Sequence, residues 1–188
     1  MTNTLFPELK PRRLYLAKQV DQASINEITK AIIDINDSDE QLIRISEIYG
    51  FSYQPKPIEL YIDSYGGYVY QCLGLLGVME KSKTPIHTIV TGCAMSCGFL
   101  ISIAGHRRLG YSGATWLYHS VSSGTYGTAK QMDEDVFETK RLQKLIEKHT
   151  RRYTDISKEE LRDVYEKKID WYIDSKLART LRVVDAII

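Results

Sequence analysis

The chain has 188 residues, 43% of them hydrophobic and 26% charged, with a formal net charge of +1. A chain of this size makes one domain that buries about 70% of its unfolded surface, and the composition is that of a globular protein. The pairs Arg12–Arg13, Arg107–Arg108 and Arg151–Arg152 are scattered, which argues against nucleic acid as a partner; no eighteen apolar residues run together and no apolar leader opens the chain, so neither membrane insertion nor secretion is expected, and the cytoplasm is the expected location.

Residues 1–11 read as a short arm, and "RRLYLA" as a first strand. "DQASINEITKAIIDIND" places Ile25, Ile28, Ala31 and Ile32 on one helical face, with Asp21 or Ser24 as its cap. Residues 37–57 read as mixed structure, with a helical turn before Gly50 and two prolines that end it. "IELYI" predicts a second strand, "DSYGG" a tight connection, Tyr68–Lys81 a helix and "IHTIV" a third strand. "TGCAMSCGFLISIAG" then turns apolar as far as Ala104, and "HRRLGY" and "ATWLYH" read as two short strands around the turn "SG". A long helix is predicted over 128–152, its apolar positions being Met132, Val136, Leu142, Leu145 and Ile146. A shorter helix starts near Ser157 and runs to about Lys167, and "DWYIDSKLARTLRVVDAII" gives a turn, a short helix and a final strand. Alternating strands and helices define an α/β class with largely parallel pairing.

Several stretches carry chemistry. Ser96, between a strand and an apolar helix, is either a helix cap or a nucleophile elbow, where a hydroxyl stands on a tight turn beside free helix N–H groups. Of the four histidines, His119 alone ends an apolar strand and opens a polar, Gly-rich loop, "SVSSGTYG". The glycine pair of "DSYGG" makes either a plain turn or a close backbone approach. The three cysteines, Cys72, Cys93 and Cys97, lack the paired spacing of a zinc site and read as buried thiols; no metal or cofactor is expected.

Taken in order, "YIDSYGG", "GCAMSCG" with Ser96 placed 29 positions after Gly67, "LYHS", and "DWY…VVDAI" resemble one family, the caseinolytic (Clp) protease proteolytic subunit. The resemblance covers residues 12–188 and implies a crotonase-like (ClpP-like) spiral of ββα units in one peptidase domain over residues 1–188. It implies a serine endopeptidase that cleaves peptides or unfolded polypeptides inside a ring chamber. Carried over, the nucleophile falls on Ser96, the base on His119 and the carboxylate on Asp170, with the oxyanion donors at the amides of Gly67 and Cys97. Asp163, Asp174 and Asp185 compete with Asp170, which is preferred because it precedes Trp171–Tyr172 and puts Asp185 at the family's structural terminal aspartate. The helix over 128–152 corresponds to the protruding handle that joins two heptameric rings into a tetradecamer. A hexameric AAA+ unfoldase is the family's partner, but the arm that supplies its docking loops is shorter here. Residues 37–57 read as a family-atypical insertion, and Tyr65 stands where the family usually has proline. The rival readings are a phage-type head-maturation protease on the same fold, a non-catalytic scaffold paralogue, and an acyl-CoA crotonase-like enzyme.

Overall fold

A computed structural model of the chain describes residues 10–188, so the arm read over 1–11 lies outside the described residues except for its last two positions. Five strands form a parallel sheet in the order β1 (Arg13–Leu16), β2 (Ile58–Ser64), β3 (Ile86–Met95), β4 (Arg107–Gly110) and β7 (Ala186–Ile187). Leu16, Ile58, Leu60, Ile62 and Ile86 are fully buried, and in β2 burial alternates, with Ile58, Leu60 and Ile62 on the core face and Glu59, Tyr61 and Asp63 on the other.

β3 is twice the length of the stretch "IHTIV", and that extension positions the site. Its first half, His87–Val90, pairs with β4. Its second half, Cys93–Met95, pairs in parallel with β5 (Thr115–Tyr118). The polar, glycine-bearing run "TGCAM" is therefore strand, held where Asp63 Oδ1 accepts from the Cys93 amide at 2.9 Å. β6 (Trp171–Ile173), read from sequence as a turn, pairs antiparallel with β5. Three residues are too few to display a period, so only the partner strand defines it.

The helices are α1 (Gln22–Tyr49), α2 (Val69–Lys81), α3 (Cys97–Ile103), α4 (Ala129–Tyr153), α5 (Lys158–Lys167) and α6 (Ser175–Thr180). Asp21 and Ser24 cap α1 together, the Asp21 carboxylate accepting from the Ser24 amide and Ser24 Oγ from the Asp21 amide. α1 continues for 28 residues to a left-handed Gly50, so most of the segment read as mixed structure is one unbroken helix. Its buried stripe passes from Ile25, Ile28, Ile32 and Ile35 to Ser38, Asp39, Leu42 and Ser46. Polar members on the inner face conceal the helical period.

Asp39 is buried because its carboxylate is fully engaged. It pairs with Arg12, accepts from Thr84 Oγ1 at 2.6 Å and accepts from Tyr53 Oη at 2.6 Å. Burial opposes its ionisation, but the hydrogen bonds from Arg12, Thr84 and Tyr53 outweigh it and hold the carboxyl below its ordinary value. A group depressed on folding stabilises the protein above its unfolded pKa and loses that contribution as pH falls through the folded value. Arg12→Ala, which strands the buried charge, is expected to cost about 3 kcal/mol at neutral pH. That cost should shrink in acid, once Asp39 protonates; urea unfolding at both pH values checks it, and a pH-independent loss would refute the coupling.

Candidate active site

Ser96 occupies the junction of β3 and α3 with φ 54 and ψ −118, a conformation that costs a non-glycine residue about 1–3 kcal/mol. The surrounding backbone imposes it. The Ser96 amide donates to the Leu117 carbonyl of β5 at 2.9 Å, and its carbonyl accepts from Leu100 in α3 at 3.2 Å. Its side chain makes no cap bond to α3, so the plain helix-cap reading fails and the hydroxyl stands on a sharp strand-to-helix turn.

The turn after β2 closes on this elbow. Gly66 has φ 95, and a Cβ there would stand 2.6 Å from the Met95 carbonyl and 2.7 Å from Ser96 Cβ. Gly67 has φ 153, and a Cβ there would overlap the Val20 carbonyl, against which Gly67 forms a β-bridge. The glycine pair is thus required by close approach as well as by conformation. Gly66→Ala is expected to push the elbow out of place and lower peptidase turnover by about 100-fold, the usual cost of a misplacement near 1 Å. Steady-state kinetics on a folded variant checks this, and unchanged turnover would contradict the contact. The Cys97 thiol joins the two segments, donating to the Gly67 carbonyl at 3.2 Å. All three cysteines are free and buried. Hydrogen bonding toward Cys97, together with burial, keeps the Cys72 thiol well above its ordinary value.

His119 follows β5 directly. A cavity of about 50 Å³ is bordered by Gly67, Ser96, Cys97 and His119, so the sequence-predicted hydroxyl, imidazole and both amide-bearing residues meet on one void. A wider adjoining cavity of about 470 Å³ is bordered by His119 and Asp170. His119 therefore stands between Ser96 and Asp170. The β5–β6 ladder ends with Tyr118 paired to Trp171, so His119, just after β5, and Asp170, just before β6, leave the same end of that ladder.

The other candidates are occupied elsewhere. His106 Nδ1 accepts from the Ile86 amide at 3.0 Å, and His149 Nε2 lies 3.0 Å from the Leu100 carbonyl, its pKa lowered mainly by burial. Burial likewise lowers His87, on β3. Asp163 pairs with Lys167, Asp174 caps α6 through the Leu177 amide at 2.7 Å, and Asp185 binds Arg108. Among the described residues no group of three His, Cys, Asp or Glu side chains is placed to hold a metal ion.

Gln143 of α4 was not visible from sequence. It is buried, its Oε1 accepts from the Val121 amide at 2.9 Å, and its Nε2 approaches Tyr118 Oη at 3.5 Å and Glu147 at 2.8 Å. It ties the long helix to the segment on either side of His119. A glutamine on a charged helix gives no signal of this, because its value depends on a loop 22 residues away.

An elbow serine at positive φ, a neighbouring imidazole and a closely applied glycine turn define a serine-hydrolase type of site on a parallel α/β sheet. The family model for Clp protease matches residues 3–188, and the chain belongs to that family. It is a ClpP-like serine peptidase. It is 29% identical over 164 residues to the ATP-dependent Clp protease proteolytic subunit 1 of Prochlorococcus marinus (strain MIT 9312), covering 84% of this chain and 77% of the relative. It is 23% identical over 182 residues to the ATP-dependent Clp protease proteolytic subunit of Deinococcus radiodurans, covering 96% and 81%. Identity to the ATP-dependent Clp protease proteolytic subunit 2 of Synechococcus sp. (strain CC9605) is 29% over 148 residues, covering 76% and 68%.

Proposed function

We propose that Ser96, His119 and Asp170 form the catalytic triad of this peptidase, in a single domain, with the amides of Gly67 and Cys97 as the oxyanion hole. The strained elbow at Ser96, opening on the cavity shared with His119, is the observation that carries this reading. His119 takes the Ser96 proton as the hydroxyl attacks the scissile carbonyl, then returns it to the leaving amine. Asp170 orients the imidazole and stabilises its cation without becoming protonated. As the carbonyl oxygen gains charge, the two amides receive it; each is fixed by backbone contacts and needs little reorganisation. Labelling of Ser96 by a fluorophosphonate, located by peptide mass, tests the assignment; labelling elsewhere or none refutes it.

Self-association into a double heptameric ring, with the sites enclosed, is the second part of the reading. α4 supports it. Nearly every residue from Ala129 to Val136 is exposed, and Met132, Val136 and Phe137 present apolar surface beyond the body of the domain. Leu142 and Ile146, farther along, are buried in their own chain, so the apolar pattern divides into an inner segment and an outer one. The outer segment presents the larger apolar surface to another copy. Val136→Asp with Phe137→Asp is therefore expected to halve the native mass and lower peptidase activity several-fold with the triad intact. Light scattering on the double variant checks it, and an unchanged mass would refute the interface.

Substrates are peptides or unfolded polypeptides, the location is the cytoplasm, and an ATPase partner follows from the relatives' description as ATP-dependent. No helix among the described residues is long and apolar enough to cross a membrane.

A further inference from the structure

The cavity beside Ser96 is small, and Tyr118 is the largest side chain that borders it. Its volume is about 50 Å³, whereas an apolar cavity that admits benzene measures roughly 150 Å³. Its apolar walls are Val69, Leu100, Tyr118, Val121 and Ile146. Tyr118 is the largest of these and is itself 2% exposed.

Tyr118 is fixed from two sides. Its ring meets Phe99 edge-on, with centroids 5.7 Å apart and planes at 70°. Its hydroxyl lies 3.5 Å from Gln143 Nε2, and the same glutamine anchors the Val121 amide. Phe99 is fully buried, so the ring has no vacant space behind it into which to withdraw. Swinging toward solvent would break the contacts with Phe99 and Gln143. The wall is rigid.

Resting on the triad assignment above, we propose that this cavity receives the substrate side chain preceding the scissile bond, and that Tyr118 restricts that residue to small ones: alanine, serine or valine in preference to leucine, methionine or phenylalanine. The cavity opens between the nucleophile and the base, where the side chain on the acyl side of the bond must fall once the carbonyl carbon is within reach of Ser96 Oγ. A methyl or isopropyl group fills it without moving a wall. A phenyl ring demands about three times the space, and a methylene too many or too few in a hydrophobic pocket is typically worth 10- to 200-fold in specificity.

The test uses the full-length protein and fluorogenic peptides that differ only in the residue before the cleaved bond: Ala, Val, Leu or Phe. For the wild type, kcat/KM for Ala should exceed that for Phe by at least about 10-fold. Tyr118→Leu should shift the ratio toward Leu and Phe by a similar factor, and Tyr118→Phe, which keeps the ring, should preserve the order. Equal or better cleavage after Phe by the wild type overturns the proposal, as does a Tyr118→Leu variant that folds and keeps the wild-type order. If Tyr118→Leu does not fold, the wild-type panel and Tyr118→Phe decide. Fluorophosphonate labelling of the same samples separates the two levels: labelled Ser96 with a Phe preference defeats only this inference, whereas neither labelling nor turnover of any peptide defeats the triad as well.

Discussion

Ser96→Ala is expected to lower kcat for short fluorogenic peptides by on the order of 10⁶, to background. The change removes one oxygen from a half-buried side chain that caps nothing. Alanine keeps the Cβ, so the elbow holds the same strain at φ 54 and no cavity of consequence opens. Stability should therefore stay within about 0.5 kcal/mol of wild type, and native mass should be unchanged. Measuring all three quantities on one preparation separates loss of the nucleophile from loss of the fold. Turnover within 100-fold of wild type would sink the serine assignment.

Asp170→Asn should follow closely, with kcat falling about 10⁴-fold, because an amide stabilises the wrong tautomer of the imidazole. The neighbouring aspartates supply the contrast. Asp174→Asn replaces one good helix cap by another and should leave the rate nearly unchanged. Asp163→Asn removes an exposed, solvent-screened pair with Lys167 and should also leave the rate alone. Kinetics on the three variants decides among them. Should Asp174→Asn be the crippling change, the register between β5 and β6 at the site is not the one that brings the strand ends carrying His119 and Asp170 together.

The dependence on Asp170 follows from how the site is assembled. Ser96 lies between β3 and α3, His119 just after β5, and Asp170 just before β6. β5 is the central member: it pairs with β3 on one side and with β6 on the other. Any change that slips β5 by one residue would reverse the face of His119 and break both relationships at once. Trp116, fully buried on β5 against Gly110, guards that register by volume.

Local chemistry was enough to read much of this from sequence. The caps at Asp21 and Ser157 lie at the helix starts, because a side-chain oxygen three residues before a backbone donor is a purely local device. The strands "RRLYLA" and "IELYI" and the helices α2, α4 and α5 follow apolar periods that need no partner to be recognised. Ser96, His119, Gly67 and Cys97 were legible as residues, by type and order, and they meet on one cavity. Three features required the tertiary structure. The outer half of α1 hides its helical period, because Arg12, Tyr53 and Thr84 make Asp39 acceptable on its inner face. β6 is too short to declare itself without β5, and with it went the ladder whose last pair, Tyr118 and Trp171, brings the strand ends that carry His119 and Asp170 together. The size of the cavity depends on Tyr118 being braced by Phe99 and Gln143, from elements 19 and 25 residues away in the chain. Period and capping are properties of neighbours along the chain. Register, charge compensation and the volume of a void exist only once distant segments have packed.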